Sequence, residues 1–277
     1  METVEAGDAT LPVPGVGTWQ FEGDRCRETV HTALGVGYRH VDTAQMYGNE
    51  AAVGEAIADA SVDREDVFLT TKVWRSNLRA DALVASVQES LDRLGTGYLD
   101  LLLIHWPHPR VSFEESLTAM AELQDDGVVE HLGVSNFTRS QLREARDVSP
   151  APIVTDQVMY HPYTDQAPLL EYCRQHDMAV TAYSPLAHGD AVDDPVLQRI
   201  GDQYGKSGVQ VALRWLIQQD GVVPIPKATS RAHLEANFEI FDFELGEAEL
   251  AAIDAITPGV RRRIRNLAPA VMRHVPL

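Results

Sequence analysis

Four polar side chains in this sequence stand at the ends of short apolar stretches, which is where α/β proteins place their chemistry. Asp42 ends one such stretch, and Tyr47 follows it five residues later. Lys72 and His105 end the next two stretches. A carboxylate, a phenol, an ammonium and an imidazole brought together can hold and move protons. The sequence therefore predicts an acid–base site made of Asp42, Tyr47, Lys72 and His105.

Each of the four also has an ordinary structural explanation. Asp42 could cap a helix, and Tyr47 could be a half-buried core residue. Lys72 could be a surface charge, and His105 a hydrogen-bonded core histidine. Lysine occurs only at positions 72, 206 and 227, however, and one that ends the apolar stretch 67–71 indicates a specific role. Taken together, the four residues favour chemistry over packing.

The elements that must bring these residues together follow a regular alternation of apolar strand-like stretches and amphipathic helices. The predicted strand ends at 42, 72, 105 and 135 are 30, 33 and 30 residues apart, which is one strand–helix unit each. Eight such units without a Pro/Gly/Ser-rich linker predict a single α/β domain over residues 1–277. Its predicted architecture is a (β/α)8 TIM barrel with extra helices and a C-terminal loop over the active-site mouth.

In such a barrel, the C-terminal ends of all strands meet at one mouth. The predicted strands are 13–19, 40–42, 67–72, 100–105, 131–135, 154–157, 179–183 and 222–225. A doubly wound sheet is the alternative, but no Gly-x-Gly-x-x-Gly follows any of these strands.

The chain is strongly acidic, with 41 acidic against 23 basic residues and a formal net charge of −18. Such a field repels nucleic acid and anionic membranes, so we expect neither as a partner. The imbalance recurs along the chain, which favours adaptation to high salt, where self-repulsion is screened, over an ordinary acidic enzyme.

The remaining composition points to a cytoplasmic protein. No run of about 18 apolar residues predicts a membrane span. The acidic N-terminus lacks a signal pattern, so export is not expected. Cys26 and Cys173 are the only cysteines, and two isolated cysteines are neither a disulfide framework nor a metal site.

The stretch 37–50, Gly-Tyr-Arg-His-Val-Asp-Thr-Ala-Gln-Met-Tyr-Gly-Asn-Glu, resembles the signature of the aldo-keto reductases. Further collinear matches are 71–74, 101–107, 133–137, 156–157, 182–186 and 225–227. The resemblance extends from about residue 17 to 243, and it is to the short prokaryotic members similar to diketogluconate and methylglyoxal reductases.

This resemblance implies reversible hydride transfer between a nicotinamide and a carbonyl carbon, without metal. Tyr47 would donate the proton to the carbonyl oxygen. The ammonium of Lys72 would lower the pKa of this phenol by favouring phenolate, and Asp42 would hold Lys72 charged. His105 would hydrogen-bond the carbonyl oxygen and fix the substrate.

The implied cofactor is NADP(H), with NAD(H) accepted as well. Residues that match Ser135, Asn136 and Gln157 hold the nicotinamide carboxamide, and one that matches Tyr183 stacks on the ring. The other cofactor-binding positions are Thr18, Asp42, Ser184, Pro185, Leu186, Gly189, Lys227, Thr229, His233 and Asn237. The segment 184–189 resembles a pyrophosphate-binding loop, although Ser-Pro and His-Gly pairs also mark ordinary turns.

Cofactor preference is where the chain departs from the family pattern. Lys227 would face the 2′-phosphate, and many relatives that prefer NADP carry an arginine six residues later. Here that position is His233, with Arg231 nearby. A histidine keeps a stacking surface but is mostly uncharged near pH 7, so we expect discrimination against NADH to be weak, below about a thousandfold.

The substrate side would be walled by three tryptophans, Trp19, Trp74 and Trp106, beside Tyr47 and His105. An aromatic pocket suits small aldehydes, ketoacids or quinone-like carbonyls. We expect a monomer.

Both ends of the chain depart from the family pattern. The segment before Val13 is short and acidic, so the β-hairpin that seals the barrel bottom is expected to be reduced. The basic segment from Arg261 to Arg265 would either fold over the pocket and attract acidic substrates or pair with acidic surface.

Two other function classes compete with a reductase. A relative that binds nicotinamide only as a sensor or regulatory subunit could keep Ser135, Asn136, Gln157 and Lys227, but it would lose catalytic residues that are all present here. A metal-dependent hydrolase on the same barrel is poorly supported, because no His-x-His ends an early strand.

Overall fold

A computed structural model describes residues 2–256 of the chain. Its strands are β1 (Glu2–Ala6), β2 (Ala9–Val13), β3 (Val16–Gly17), β4 (His40–Asp42), β5 (Phe68–Val73), β6 (Leu99–Ile104), β7 (Val129–Ser135), β8 (Ile153–Met159), β9 (Ala179–Tyr183) and β10 (Val222–Pro224). Its α-helices are α1 (Gly23–Val36), α2 (Glu50–Asp59), α3 (Ala80–Leu94), α4 (Phe113–Asp125), α5 (Arg139–Val148), α6 (Ala167–Arg174), α7 (Pro195–Tyr204), α8 (Gly208–Ile217), α9 (Arg231–Phe238) and α10 (Glu247–Asp254).

The eight strands β3 to β10 lie side by side in chain order, and every pair between them is parallel. Two backbone hydrogen bonds join the first strand to the last: Gly15 N donates to Pro224 O at 3.0 Å, and Gly17 N donates to Pro226 O at 3.1 Å. The sheet therefore closes on itself with helices between the strands, which is the predicted barrel architecture. The loop predicted over the mouth lies outside the described residues.

The strands form because their side chains are apolar on both faces. In β6, every residue from Leu99 to Ile104 is buried. Leu101 and Leu103 pack in the barrel interior, whereas Leu102 and Ile104 pack in the larger core that contains the helices. This period of two distinguishes a strand from a buried helix of the same composition.

The hairpin of β1 and β2 contradicts the expectation that this element is reduced. Its two strands pair over their full lengths, and Gly7, with φ +60°, makes the turn between them. Leu11 and Val13 are buried against Leu101 and Leu103 inside the barrel. The prediction was wrong because the acidic residues belong to the exposed face of β1, while the alternating apolar residues of β2 fill the barrel floor.

The first predicted strand, 13–19, also needs correction. Val13 ends β2, the chain turns at Pro14 and Gly15, and only Val16–Gly17 joins the barrel. One continuous apolar run therefore contributes a strand to the hairpin and a strand to the barrel. Among residues 2–256, no helix is both long and apolar enough to cross a membrane.

Candidate active site

Adjacent strands carry the predicted acid–base residues to one edge of the barrel. Asp42 is the last residue of β4, and Lys72 stands one residue before the end of β5. His105 follows β6, and its backbone N–H donates to Val73 O at 3.1 Å. Because β4, β5 and β6 are parallel neighbours, these ends meet, as the strand spacing predicted.

Lys72 is the centre of the resulting network. Its Nζ donates to Asp42 Oδ1 at 2.6 Å, to Thr43 O at 2.7 Å and to Tyr47 Oη at 3.3 Å. The side chain is fully buried, so all three ammonium hydrogens have partners where water cannot supply them. Asp42 accepts a second hydrogen bond, from Gln157 Nε2 at 2.7 Å. The buried charges are thus paired and hydrogen-bonded, as burial requires.

Two aromatic side chains flank the imidazole of His105. The rings of Tyr47 and His105 meet edge to face with centroids 5.7 Å apart, and Trp74 meets His105 from another side at 5.2 Å. The Nδ1 atom of His105 is buried and has no hydrogen-bond partner among the described residues. Its Nε2 is the ring nitrogen available to a bound molecule.

Burial dominates the protonation equilibria of this site. It raises the pKa of Tyr47 well above its ordinary value, and the negative charge of Asp42 adds to this. Burial also lowers the pKa of Lys72, against the opposing effect of Asp42, and it lowers the pKa of His105 well below its ordinary value, with Lys72 adding to this. The resting site therefore has a protonated phenol and a neutral imidazole.

The pKa of Tyr47 is raised overall, and not lowered as the resemblance implied, because burial and the charge of Asp42 outweigh the stabilisation of phenolate by Lys72. Asp42 contacts the same ammonium at 2.6 Å and offsets its field, whereas removal from water penalises phenolate directly. Neither the contact between Asp42 and Lys72 nor the burial of the phenol could be measured from the sequence. The phenol rests in its protonated form, as a proton donor must, but the raised pKa also makes it a weaker acid.

The side chains predicted to meet a nicotinamide lie at the ends of β7, β8 and β9, beside this network. Asn136 Nδ2 donates to His105 O at 3.0 Å, and Tyr183 Oη donates to Asn136 Oδ1 at 2.9 Å. Ser135 Oγ donates to Gln157 O at 2.8 Å. Asn136 has φ +64°, a left-handed conformation that asparagine tolerates better than most residues. These amides are therefore held in place and connected to the acid–base residues.

Thr18, another predicted cofactor residue, has a structural role in this geometry. It is fully buried, and its hydroxyl donates to Asp42 O at 2.9 Å. The predicted pyrophosphate loop follows β9 directly. Its Ser184 and His188 have positive φ values of 49° and 58°, and Gly189 is exposed, while Pro185 and Leu186 are buried and half-buried.

The other predicted cofactor residues form a separate group after β10. Lys227 lies beside the loop that follows β3, with Nζ 3.4 Å from Gln20 Oε1 and 4.7 Å from the centre of the Phe21 ring. Thr229 and His233 are exposed near the start of α9. Asn237 is buried on that helix.

The three predicted pocket tryptophans differ in exposure. Trp19 is 41% exposed, Trp74 is half-buried against His105, and Trp106 is 8% exposed. Met46, which precedes Tyr47, is 46% exposed and was not predicted as a site residue. The segment from Arg261 to Arg265 lies outside the described residues.

Sequence reasoning also missed Asn49. This residue is buried, and its Nδ2 donates to Thr18 O at 2.9 Å and to Phe21 O at 3.0 Å, while Thr43 Oγ1 donates to Asn49 Oδ1 at 2.7 Å. In the sequence it stood out only as part of the stretch 37–50 that resembles the family signature. Its place directly after Tyr47-Gly48 was the available signal.

The described part of the chain, residues 2–256, contains no group of three or more His, Cys, Asp or Glu side chains that could hold a metal ion. Cys26 and Cys173 are both buried and free.

Known proteins match the chain over most of its length. A family model described as the Aldo/keto reductase family matches residues 15–258. Methylglyoxal reductase DkgB of Escherichia coli O157:H7 is 39% identical over 249 residues, covering 89% of this chain and 93% of the relative. A crystal structure provisionally described as 2,5-diketo-D-gluconic acid reductase B has a TM-score of 0.92 and 46% identity, covering 94% of this chain and 92% of the other. A Bombyx mori aldo-keto reductase in complex with NADP has a TM-score of 0.85 and 35% identity, covering 91% of each chain.

Proposed function

The chain belongs to the aldo/keto reductase family, and we propose that it reduces aldehyde or ketone groups of small molecules to alcohols with NADP(H), reversibly. The observation that carries this proposal is the contact of the buried Lys72 ammonium with both Asp42 and Tyr47, beside His105. In this proposal, Tyr47 is the proton donor, Lys72 is its charge partner and His105 is the imidazole that orients the substrate.

The residues at the mouth fit a nicotinamide cofactor. Hydroxyl and amide groups of Ser135, Asn136 and Gln157 would hold the carboxamide, and the half-buried ring of Tyr183 would stack on the nicotinamide. Gln157 donates one amide hydrogen to Asp42, which leaves its other hydrogen and its carbonyl oxygen for a ligand. When bound, the reduced nicotinamide supplies a hydride to the carbonyl carbon.

Tyr47 would give the proton that carbonyl reduction needs. Negative charge develops on the carbonyl oxygen as hydride arrives, and a phenol O–H directed at that oxygen can transfer its proton. The phenol is protonated at neutral pH because even its ordinary pKa is about 10, and burial raises this pKa further. Lys72 Nζ, 3.3 Å from the phenol oxygen, would stabilise the phenolate that remains. In alcohol oxidation, the same phenolate would take the proton back.

His105 would orient the carbonyl. Its imidazole is neutral, because burial and Lys72 lower its pKa well below the ordinary value. A neutral ring has one N–H, and placing it on Nε2 lets that atom donate to the carbonyl oxygen. The edge-to-face contacts with Tyr47 and Trp74 fix the ring plane.

Small aldehydes, ketones and ketoacids are the substrates that suit this mouth. The exposed Trp19 and Met46 and the half-buried Trp74 offer an apolar wall beside the polar acid–base residues. The relative from E. coli is named a methylglyoxal reductase, which supports including small ketoaldehydes. The regulatory-subunit alternative gains no support, because all four acid–base residues are present and in contact.

The proposal is tested by following NADPH oxidation against a panel of aldehydes, ketoaldehydes, ketoacids and sugars at several salt concentrations. We expect turnover with at least one class of small carbonyl. Absence of NADPH oxidation with every member of the panel, at every salt concentration, would contradict the proposal.

A further inference from the structure

We propose that Arg25 supplies, with Lys227, a second cation for the 2′-phosphate of NADP(H), and that it sets the preference of the protein for NADPH over NADH. This inference rests on the proposed function. It concerns a residue on α1, whereas the sequence had suggested that cofactor selectivity is set near His233.

Arg25 and Lys227 converge on one aromatic ring. The guanidinium carbon of Arg25 lies 5.8 Å from the centre of the Phe21 ring, and Lys227 Nζ lies 4.7 Å from it. Phe21 is 1% exposed, so two cations from distant parts of the chain lie against one fixed ring. Burial lowers the pKa of Lys227, and the positive charge of Arg25 lowers it further, as expected for two neighbouring cations.

Arg25 and Lys227 are two neighbouring cations whose charges no described acidic residue neutralises. Lys72 pairs with Asp42 and Lys206 pairs with Asp242, but among residues 2–256 no carboxylate lies within ion-pair distance of Lys227 or Arg25. Glu22 and Asp24 shortly precede Arg25 in sequence, are exposed and form no ion pair with either cation. On a protein of net charge −18, the repulsion between two unpaired cations would be relieved by a bound anion.

The 2′-phosphate is the anion that best fits this pair. Lys227 leads into the segment that ends in α9, where His233 is exposed and Arg231 is already paired with its neighbour Glu235 at 2.8 Å. That segment therefore brings only Lys227 as a free cation. A phosphate dianion is bound more strongly by two cations than by one, and the planar guanidinium of arginine is suited to phosphate.

Arg27 provides a matched control for Arg25. Both arginines lie on α1 two residues apart, but Arg27 is directed to α2, where its Nε donates to Asp59 Oδ2 at 3.0 Å. Replacing either residue by glutamine removes one positive charge from the same helix. Only the Arg25 replacement removes a charge from the Lys227 pair.

The test is to titrate NADPH and NADH into wild type, Arg25→Gln and Arg27→Gln, following the intrinsic tryptophan fluorescence at low salt. We expect Arg25→Gln to raise the Kd for NADPH about tenfold, which corresponds to about 1.4 kcal/mol, and to leave the Kd for NADH within about twofold. Arg27→Gln should change neither. Adding His233→Arg to Arg25→Gln should restore most of the lost NADPH affinity.

Three outcomes would overturn the inference. An Arg25→Gln protein with unchanged NADPH affinity would show that Arg25 does not reach the phosphate. An equal rise in the Kd for NADPH and the Kd for NADH would indicate that Arg25 contacts a part of the molecule that both cofactors share, and not the 2′-phosphate. If the wild-type protein bound neither cofactor, the proposed function would fail as well. The first two outcomes contradict only the role of Arg25.

Discussion

At the scale of single residues, the buried pair of Lys72 and Asp42 links the stability of the protein to its chemistry. Each charge compensates the other at 2.6 Å inside a fully buried site. Removing one member of such a pair leaves the other charge buried and unpaired, whereas removing both does not. Stability and activity should therefore respond differently to single and double substitutions.

We predict that Asp42→Asn lowers the free energy of unfolding by about 3–5 kcal/mol, because the Lys72 ammonium loses its carboxylate. The double variant Asp42→Asn with Lys72→Met should recover most of that stability while remaining inactive, because the ammonium that supports Tyr47 is gone. Urea unfolding and NADPH oxidation measure the two properties separately. A double variant no more stable than Asp42→Asn would mean that the pair does not carry this energy.

The residue scale also shows what could and could not be predicted from sequence. Asp42, Lys72 and His105 could be found because strand ends are readable and parallel neighbours must bring them together. The direction of the pKa shift of Tyr47 could not be predicted, because it depends on burial and on the nearby charge of Asp42. Met46 was missed because an exposed methionine has no pattern that marks a pocket.

At the scale of elements, the loop after β3 and the start of α2 form one unit held by a single amide. Asn49 contributes three hydrogen bonds, two donated to backbone carbonyls of that loop and one accepted from Thr43. Trp19, between the two tethered carbonyls, and Tyr47, two residues before Asn49, both belong to the mouth. In the proposed function, this connection sets the spacing between the aromatic wall and Tyr47, the proposed proton donor.

We predict that Asn49→Ala lowers the free energy of unfolding by about 3 kcal/mol, because buried carbonyls and a hydroxyl lose their partner. It should also raise the KM for carbonyl substrates, since Trp19 is no longer held. The control is Gln88→Ala, an exposed amide on α3, which should change neither value. An Asn49→Ala protein as stable as wild type would contradict the assigned role of this amide.

Most of the element boundaries were predictable, and the exceptions have physical causes. β4 and β9 end at the predicted residues, Asp42 and Tyr183, because a loop signal follows a short, largely buried stretch. The boundary between the hairpin and β3 could not be predicted, because β2 and β3 belong to one apolar run that only tertiary contacts divide. The contacts of Asn49 depend on loop geometry, which local sequence pattern does not specify.

At the scale of the whole molecule, the excess of acidic residues is the dominant feature. Several helices carry exposed acidic residues, for example Glu28, Asp81, Glu144 and Asp202 on four different helices. A net charge of −18 opposes compaction through self-repulsion, and salt screens that repulsion. The hypothesis of adaptation to high salt follows from this balance.

We predict that the midpoint of thermal unfolding rises as KCl increases from low to molar concentration. A variant with lysine at positions 28, 81, 144 and 202 changes four charges by two each, from −18 to −10, and should depend less on salt. Equal stability of the wild type at all KCl concentrations would reject the hypothesis.

The central claim is that Tyr47 donates the proton, and Tyr47→Phe tests it most directly because only the hydroxyl is removed. Steady-state kcat for carbonyl reduction, measured together with the Kd for NADPH, should fall about 10²–10⁴-fold while the Kd stays within about twofold. Tyr98→Phe, a half-buried tyrosine before β6, should leave both values unchanged. Near-normal kcat in Tyr47→Phe would contradict the account.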